Sequence, residues 1–161
     1  MRGLEYIGGG SSGPTIYCTA KPTSIAGCVP TIGGPAASAS LSAGSGSYDV
    51  TCGPVPGQLA IGVVVYTTSG PLASPVQSSF GTLCIDNTSN YFVVQPPQTS
   101  GGTLGTCSGL FTFDFGAYLA GPNGDPALVS GAQVDMQAFY RDPLNNGGAN
   151  LSNAMAFTLV P

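Results

Sequence analysis

Leu110-Phe111-Thr112-Phe113-Asp114-Phe115 puts a phenylalanine at every second position with a polar residue between. Strand side chains alternate between faces, so Phe111, Phe113 and Phe115 line one face and Thr112 and Asp114 the other. A strand with one apolar face needs a second layer to cover it. Other segments follow the same rule. Residues 133–140 set Val134, Met136, Ala138 and Tyr140 against Asp135, Gln137 and Phe139, and residues 154–160 bring Met155, Phe157 and Leu159 to one side. Residues 47–52 alternate Tyr48, Val50 and Cys52 with Asp49 and Thr51. Residues 59–68 are apolar, β-branched and nearly continuous, as expected of a central strand covered on both faces. Shorter candidates are residues 15–20, 80–86 and 91–95.

Between these runs lie 25 Gly and 14 Pro. Proline inside a helix costs about 3 kcal/mol and glycine about 1, so no long helix survives that density. The reading is an all-β domain, an antiparallel β-sandwich of immunoglobulin-like or jelly-roll-like type with about eight short strands. Residues 33–46 form a Gly/Ala/Ser tract, either a loop or a pair of small-residue strands. Gly121-Pro122-Asn123-Gly124-Asp125-Pro126 is a turn signal. One helical turn is expected over residues 126–129, with Asp125 as N-cap and Pro126 in the first turn.

The length of 161 residues suits one domain. Only 6% of residues are charged, against about 25% in ordinary soluble domains. Such a surface repels copies of itself weakly and loses little hydration on contact, which points towards assembly. The plainer alternative is a Ser/Thr-coated extracellular domain. Arg2, Lys21 and Arg141 are the cations, too few and too scattered to displace counterions from nucleic acid. The longest apolar run, residues 59–66, is far below the length needed to span a bilayer. Met1–Ile7 lacks the apolar block of a secretory signal, which points to a native start other than Met1.

Cys18, Cys28, Cys52, Cys84 and Cys107 have no CxxC spacing, and the chain has no histidine, so a zinc site is not expected. Disulfides are. Spacing does not fix their connectivity. Cys18–Cys28 and Cys84–Cys107 close short local loops and are the expected pairs, each contributing about 3 kcal/mol. Cys52 is left over, either buried as a thiol or bonded to another chain.

Residues 1–16 read as an extension to a sandwich spanning 17–161. Leu4, Tyr6 and Ile7 form a short apolar run ahead of a Gly/Ser stretch of linker composition. A neighbouring subunit with an open sheet edge can accept such a run as an added strand.

Without histidine, the commonest general base and the Ser-His-Asp and Cys-His arrangements are gone. No GxSxG elbow, P-loop or HExxH motif is present. The acids are Glu5, Asp49, Asp86, Asp114, Asp125, Asp135 and Asp142. Asp114 and Asp135 are the pair considered for hydrolysis, although mid-strand Asp usually faces solvent. Calcium at Asp125 and Asp142 lacks the DxDxDG spacing, and Asp before Pro is ordinarily a turn device. No catalytic, cofactor or metal residue is therefore assigned. Asn87-Thr88-Ser89 and Asn150-Leu151-Ser152 are glycosylation sequons.

Cys18-Thr19-Ala20-Lys21-Pro22-Thr23-Ser24, Gly27-Cys28-Val29-Pro30, Gly81-Thr82-Leu83-Cys84, Cys107-Ser108-Gly109, Asp125-Pro126-Ala127-Leu128-Val129 and Arg141-Asp142-Pro143 recur in one order. Over residues 17–161 the chain resembles an uncharacterised secreted β-domain common in planctomycete- and myxobacterial-type exported proteins, often at their C-termini. The resemblance implies export and supports the two local disulfides; it implies no activity. Cys52 and residues 1–16 depart from it. An added tail and an extra thiol on a stand-alone domain suit a self-assembling derivative.

The expected function is thus a non-enzymatic extracellular or cell-surface structural subunit of a filament or surface layer, with copies of itself as partner. The alternative is a secreted module that contacts glycans or a cell surface.

Overall fold

A computed structural model describes residues 13–89 and 91–161. Eleven strands and one short helix occur among them. They are β1 (Thr15–Tyr17), β2 (Thr31–Gly33), β3 (Ala39–Ser40), β4 (Asp49–Val55), β5 (Ile61–Thr67), β6 (Pro71–Ser78), β7 (Gly81–Ile85), β8 (Tyr91–Thr99), β9 (Gly109–Asp114), α1 (Phe115–Ala120), β10 (Gln133–Arg141) and β11 (Ala149–Val160). β1 takes in the last two residues of the stretch read as an extension. Every expected strand is found, and β2, β3 and β6 are additional. β6 holds Pro71 and Pro75, which argue against a strand; it tolerates them because it pairs with β7 alone and lies exposed.

The central sheet runs β1-β11-β10-β5-β8, with β3 lying parallel to the end of β11. A second sheet, β2-β4-β9, covers one face, and the β6-β7 hairpin lies over part of the other. Ladder pairings are otherwise antiparallel among the named strands. The main core forms where Val64, Tyr66, Val134, Met136, Tyr140, Met155 and Phe157 meet Ile32, Val50, Phe111 and Phe113. The phenylalanine alternation therefore does face inward. Gly62 lets the layers close at the centre: a Cβ there would sit 2.9 Å from Phe111 Cζ and 3.0 Å from Tyr140 Cβ.

Behind the central sheet, Val65 and Ala154 pack against Cys84 and Ile85 of the hairpin. This cover explains why β5 is apolar on both faces. It also corrects the expectation that Asp135 faces solvent. Asp135 is fully buried, accepting from Tyr17 OH at 2.7 Å and Gln133 Nε2 at 2.8 Å. Gln137, likewise buried, accepts from Cys84 N at 3.1 Å and donates to the carbonyls of Thr82 and Ser152, both at 2.7 Å. Lys21 holds the hairpin tip from outside, its Nζ donating to the carbonyls of Ser79 (2.7 Å), Ala149 (3.3 Å) and Asn146.

The helix is misplaced in the sequence reading. Residues 126–127 form a turn and 128–129 are irregular, with Asp125 accepting from Ala127 N at 2.9 Å, while the true helix follows β9 directly. Asp114 is its N-cap, accepting from Ala117 N at 2.8 Å, so Phe115 leaves the strand and enters α1. Asn123 closes the other end by donating to Tyr118 O at 3.1 Å.

Tyr48 breaks the rule that buried polar groups are paired. Its ring lies tilted 4.7 Å from that of Phe157, its hydroxyl has no hydrogen-bond partner among the described residues, and burial pushes its phenol up to about 12. Removing that hydroxyl removes an uncompensated desolvation, so Tyr48→Phe should be neutral or stabilising by up to about 1 kcal/mol in urea unfolding. A comparable loss instead would mean that the hydroxyl is bonded in solution.

Candidate functional site

The cysteines pair differently from the sequence expectation. Cys18 bonds Cys84 with Cα atoms 6.2 Å apart, and Cys28 bonds Cys107 at 5.7 Å. The physical reason is the layering. Cys18 and Cys84 belong to the hairpin side of the central sheet, while Cys28 lies beside Pro54 of β4, on the other side. The chain between Cys18 and Cys28 passes from one face to the other, so local closure fails and each bridge stays within its own side. Cys52 is a buried thiol paired in register with Ile32 and Phe111. Burial raises it to about 12, which leaves it neutral and unreactive.

Asp86, Asp114, Asp125, Asp135 and Asp142 each accept hydrogen bonds from protein donors. Asp114 sits opposite Asp49 across β4 and β9, on the other layer from Asp135, so the pair considered for hydrolysis is not brought together. Hydrogen bonds from Ser45 Oγ at 2.5 Å, Ala117 N and Gly46 N hold the Asp114 carboxyl below its usual range. Asp125 accepts from Tyr66 OH at 2.8 Å, and Asp142 from Ser24 Oγ at 2.6 Å, Ser24 N at 2.8 Å and Asn150 Nδ2 at 3.2 Å. Protein donors thus take the oxygens that calcium would need. Asp86 is exposed and kept acidic by the Thr88 hydroxyl and amide. Among the described residues no three His, Cys, Asp or Glu gather where a cation could sit. Glu5 lies outside them.

What the fold leaves open is a seam. β8 ends the central sheet and β9 ends the smaller one, so among the described residues each has a strand partner along one side only. They are pinned together at one end, where Leu110 N donates to Ser100 O at 2.7 Å and Ser100 Oγ to Pro56 O at 2.8 Å. Further along, Val94, Pro96 and Gln98 of β8 stand opposite Phe113 of β9, and Ala117, Tyr118, Pro122 and Asn123 close the far wall. The space between is a mostly apolar groove of about 400 Å³. Two of its polar groups are engaged inward: Tyr118 OH pairs with Tyr66 OH at 3.1 Å, and Asn123 Oδ1 accepts from Asp125 N at 3.0 Å.

The chain stands apart. No family model matches it, and neither a curated protein nor a solved structure gives a significant match. Sequence reasoning missed the seam, although Pro96-Pro97 marked it, since consecutive prolines exclude an inner strand. Leu4, Tyr6 and Ile7, expected to mediate assembly, lie outside the described residues. Of the two sequons, Asn87 is exposed in the loop after β7, while Asn150 is fully buried against Tyr140 and Asp142. Only Asn87 is open to a transferase in the folded domain. Among the described residues no helix is long and apolar enough to cross a membrane.

Proposed function

We propose that this β-sandwich is a non-catalytic structural subunit, working outside the cell, that associates with copies of itself into a filament or surface layer. The observation that carries the reading is the seam, where the outer edges of two strands, β8 and β9, border an apolar groove. Unpaired strand edges offer rows of backbone donors and acceptors to another chain, and proteins usually guard them with charge. Here the guard is thin, because only 6% of the chain is charged. Tyr91 and Val93, also exposed, lie on the other face of β8. The two disulfides are compatible with an oxidising, extracellular setting. Family membership among secreted planctomycete- and myxobacterial-type β-domains would fit the same setting.

Glycan contact has less support at this groove. Sugar hydroxyls need free polar partners, and Tyr118 and Asn123 are already committed to Tyr66, Asp125 and the end of α1.

Sedimentation velocity of the full chain against concentration tests the proposal, with electron microscopy of the concentrated material for filaments or lattices. Association should grow with concentration. It should also be nearly unchanged between 0.05 and about 1 M NaCl, since few charges exist to screen. A chain that stays monomeric up to about 1 mM would sink the proposal.

A further inference from the structure

Resting on the self-association just proposed, we infer that the seam between β8 and β9 is the acceptor site for residues 4–7 (Leu4, Glu5, Tyr6, Ile7) of a neighbouring copy, bound as an added strand. The acceptor has a defined length. β8 offers a free edge from Tyr91 as far as residue 95, where Pro96 and Pro97 remove the backbone donors. A donor of four or five residues fills that edge, and the apolar run of the extension has four. The chemistry also matches. In an extended strand Leu4 and Tyr6 fall on one side, which can face the groove walled by Val94, Phe113 and Ala117, while Glu5 points away.

The direction of exchange follows from where the tail starts. Thr15, Ala156, Asp135, Thr67 and Tyr91 form one continuous row across the central sheet. Four inter-strand spacings place Thr15 about 19 Å from Tyr91 in a straight line through other strands. Ile7 lies eight positions before Thr15, and a Gly/Ser-rich segment of that length spans about 16 Å on average. To serve its own seam, the tail must go round a layer about 10 Å thick and be drawn nearly taut, at a cost in chain entropy. A neighbour's tail meets the seam without that detour. Because donor and acceptor lie at opposite edges of each subunit, the exchange is head-to-tail and generates an open polymer rather than a closed pair.

The test uses the full chain. Leu4→Asp with Tyr6→Asp alters only the tail, and Ala117→Arg places a charge in the groove from an exposed position. Each should weaken association about tenfold or more by sedimentation velocity, with the monomer still folded by circular dichroism. Under oxidising conditions, Tyr6→Cys chains mixed with Ala117→Cys chains should give a cross-linked dimer joining one of each. This measurement decides the matter even if Ala117→Arg fails to fold. Wild-type association that persists in the tail variant, with no mixed cross-link, would overturn the seam assignment and leave self-association through another face. A Tyr6→Cys/Ala117→Cys chain that closes on itself as a monomer would overturn exchange in favour of self-complementation. A wild-type chain that never associates would remove the underlying reading as well.

Discussion

A chain carrying Cys28→Ala and Cys107→Ala is expected to lose about 4.5 kcal/mol of stability in non-reducing urea unfolding. The magnitude follows from the loop the bridge closes. Cys28 and Cys107 are 79 residues apart in sequence, so their link removes far more freedom from the unfolded chain than a local pair would. Had Cys18 bonded Cys28, the loop would be short and the contribution nearer 3 kcal/mol. Cys28 is also fully buried, and the alanine leaves a small void there that adds to the loss. The same experiment on Cys18 and Cys84, 66 residues apart, should give a similar value. Peptide mapping of the intact protein would report the connectivity independently. A loss under about 2 kcal/mol for the Cys28/Cys107 variant would contradict the layered arrangement of bridges.

Gln137→Leu is expected to cost about 3 to 5 kcal/mol, although leucine nearly preserves the volume. The reason is what the side chain leaves behind. Gln137, itself fully buried, satisfies three backbone groups: the Cys84 amide and the carbonyls of Thr82 and Ser152. Leucine satisfies none of them, and each orphaned buried group costs about 1–3 kcal/mol. The effect should be local before it is global. β7 is attached to the central sheet through this residue, so the Cys84 amide should lose hydrogen-exchange protection first, with the Cys18–Cys84 bond keeping the hairpin tethered. Unchanged protection at Cys84 together with wild-type stability would show that the hairpin is held by Lys21 and apolar packing instead.

These two sites also mark the limit of what patterning could tell. The strands were legible because alternation is a local property: Phe111 and Phe113, or Val134 and Met136, share a face whatever the partner strand is. Proline and glycine density excluded long helices on equally local grounds. The short helix was missed because Phe115 continues the alternation of Phe111 and Phe113. Its N-cap signal at Asp114 becomes visible only once the chain turns there. Buried Asp135 was misjudged for a different reason. Its face, shared with Gln137, looks polar in the sequence and would be solvated in a two-layer sandwich, but the hairpin covers it. The seam was hinted at by Pro96-Pro97, yet nothing local says that β9 would be its other wall.

The order of amino acids alone therefore determined the class of fold and the positions of most strands, since each depends on residues close together along the chain. Tertiary structure decided which cysteines bond, which acids are buried and which strand edges remain open. Those outcomes depend on the layer each segment joins, and segments remote in sequence, such as β7 over β10 or β9 beside β8, settle that together.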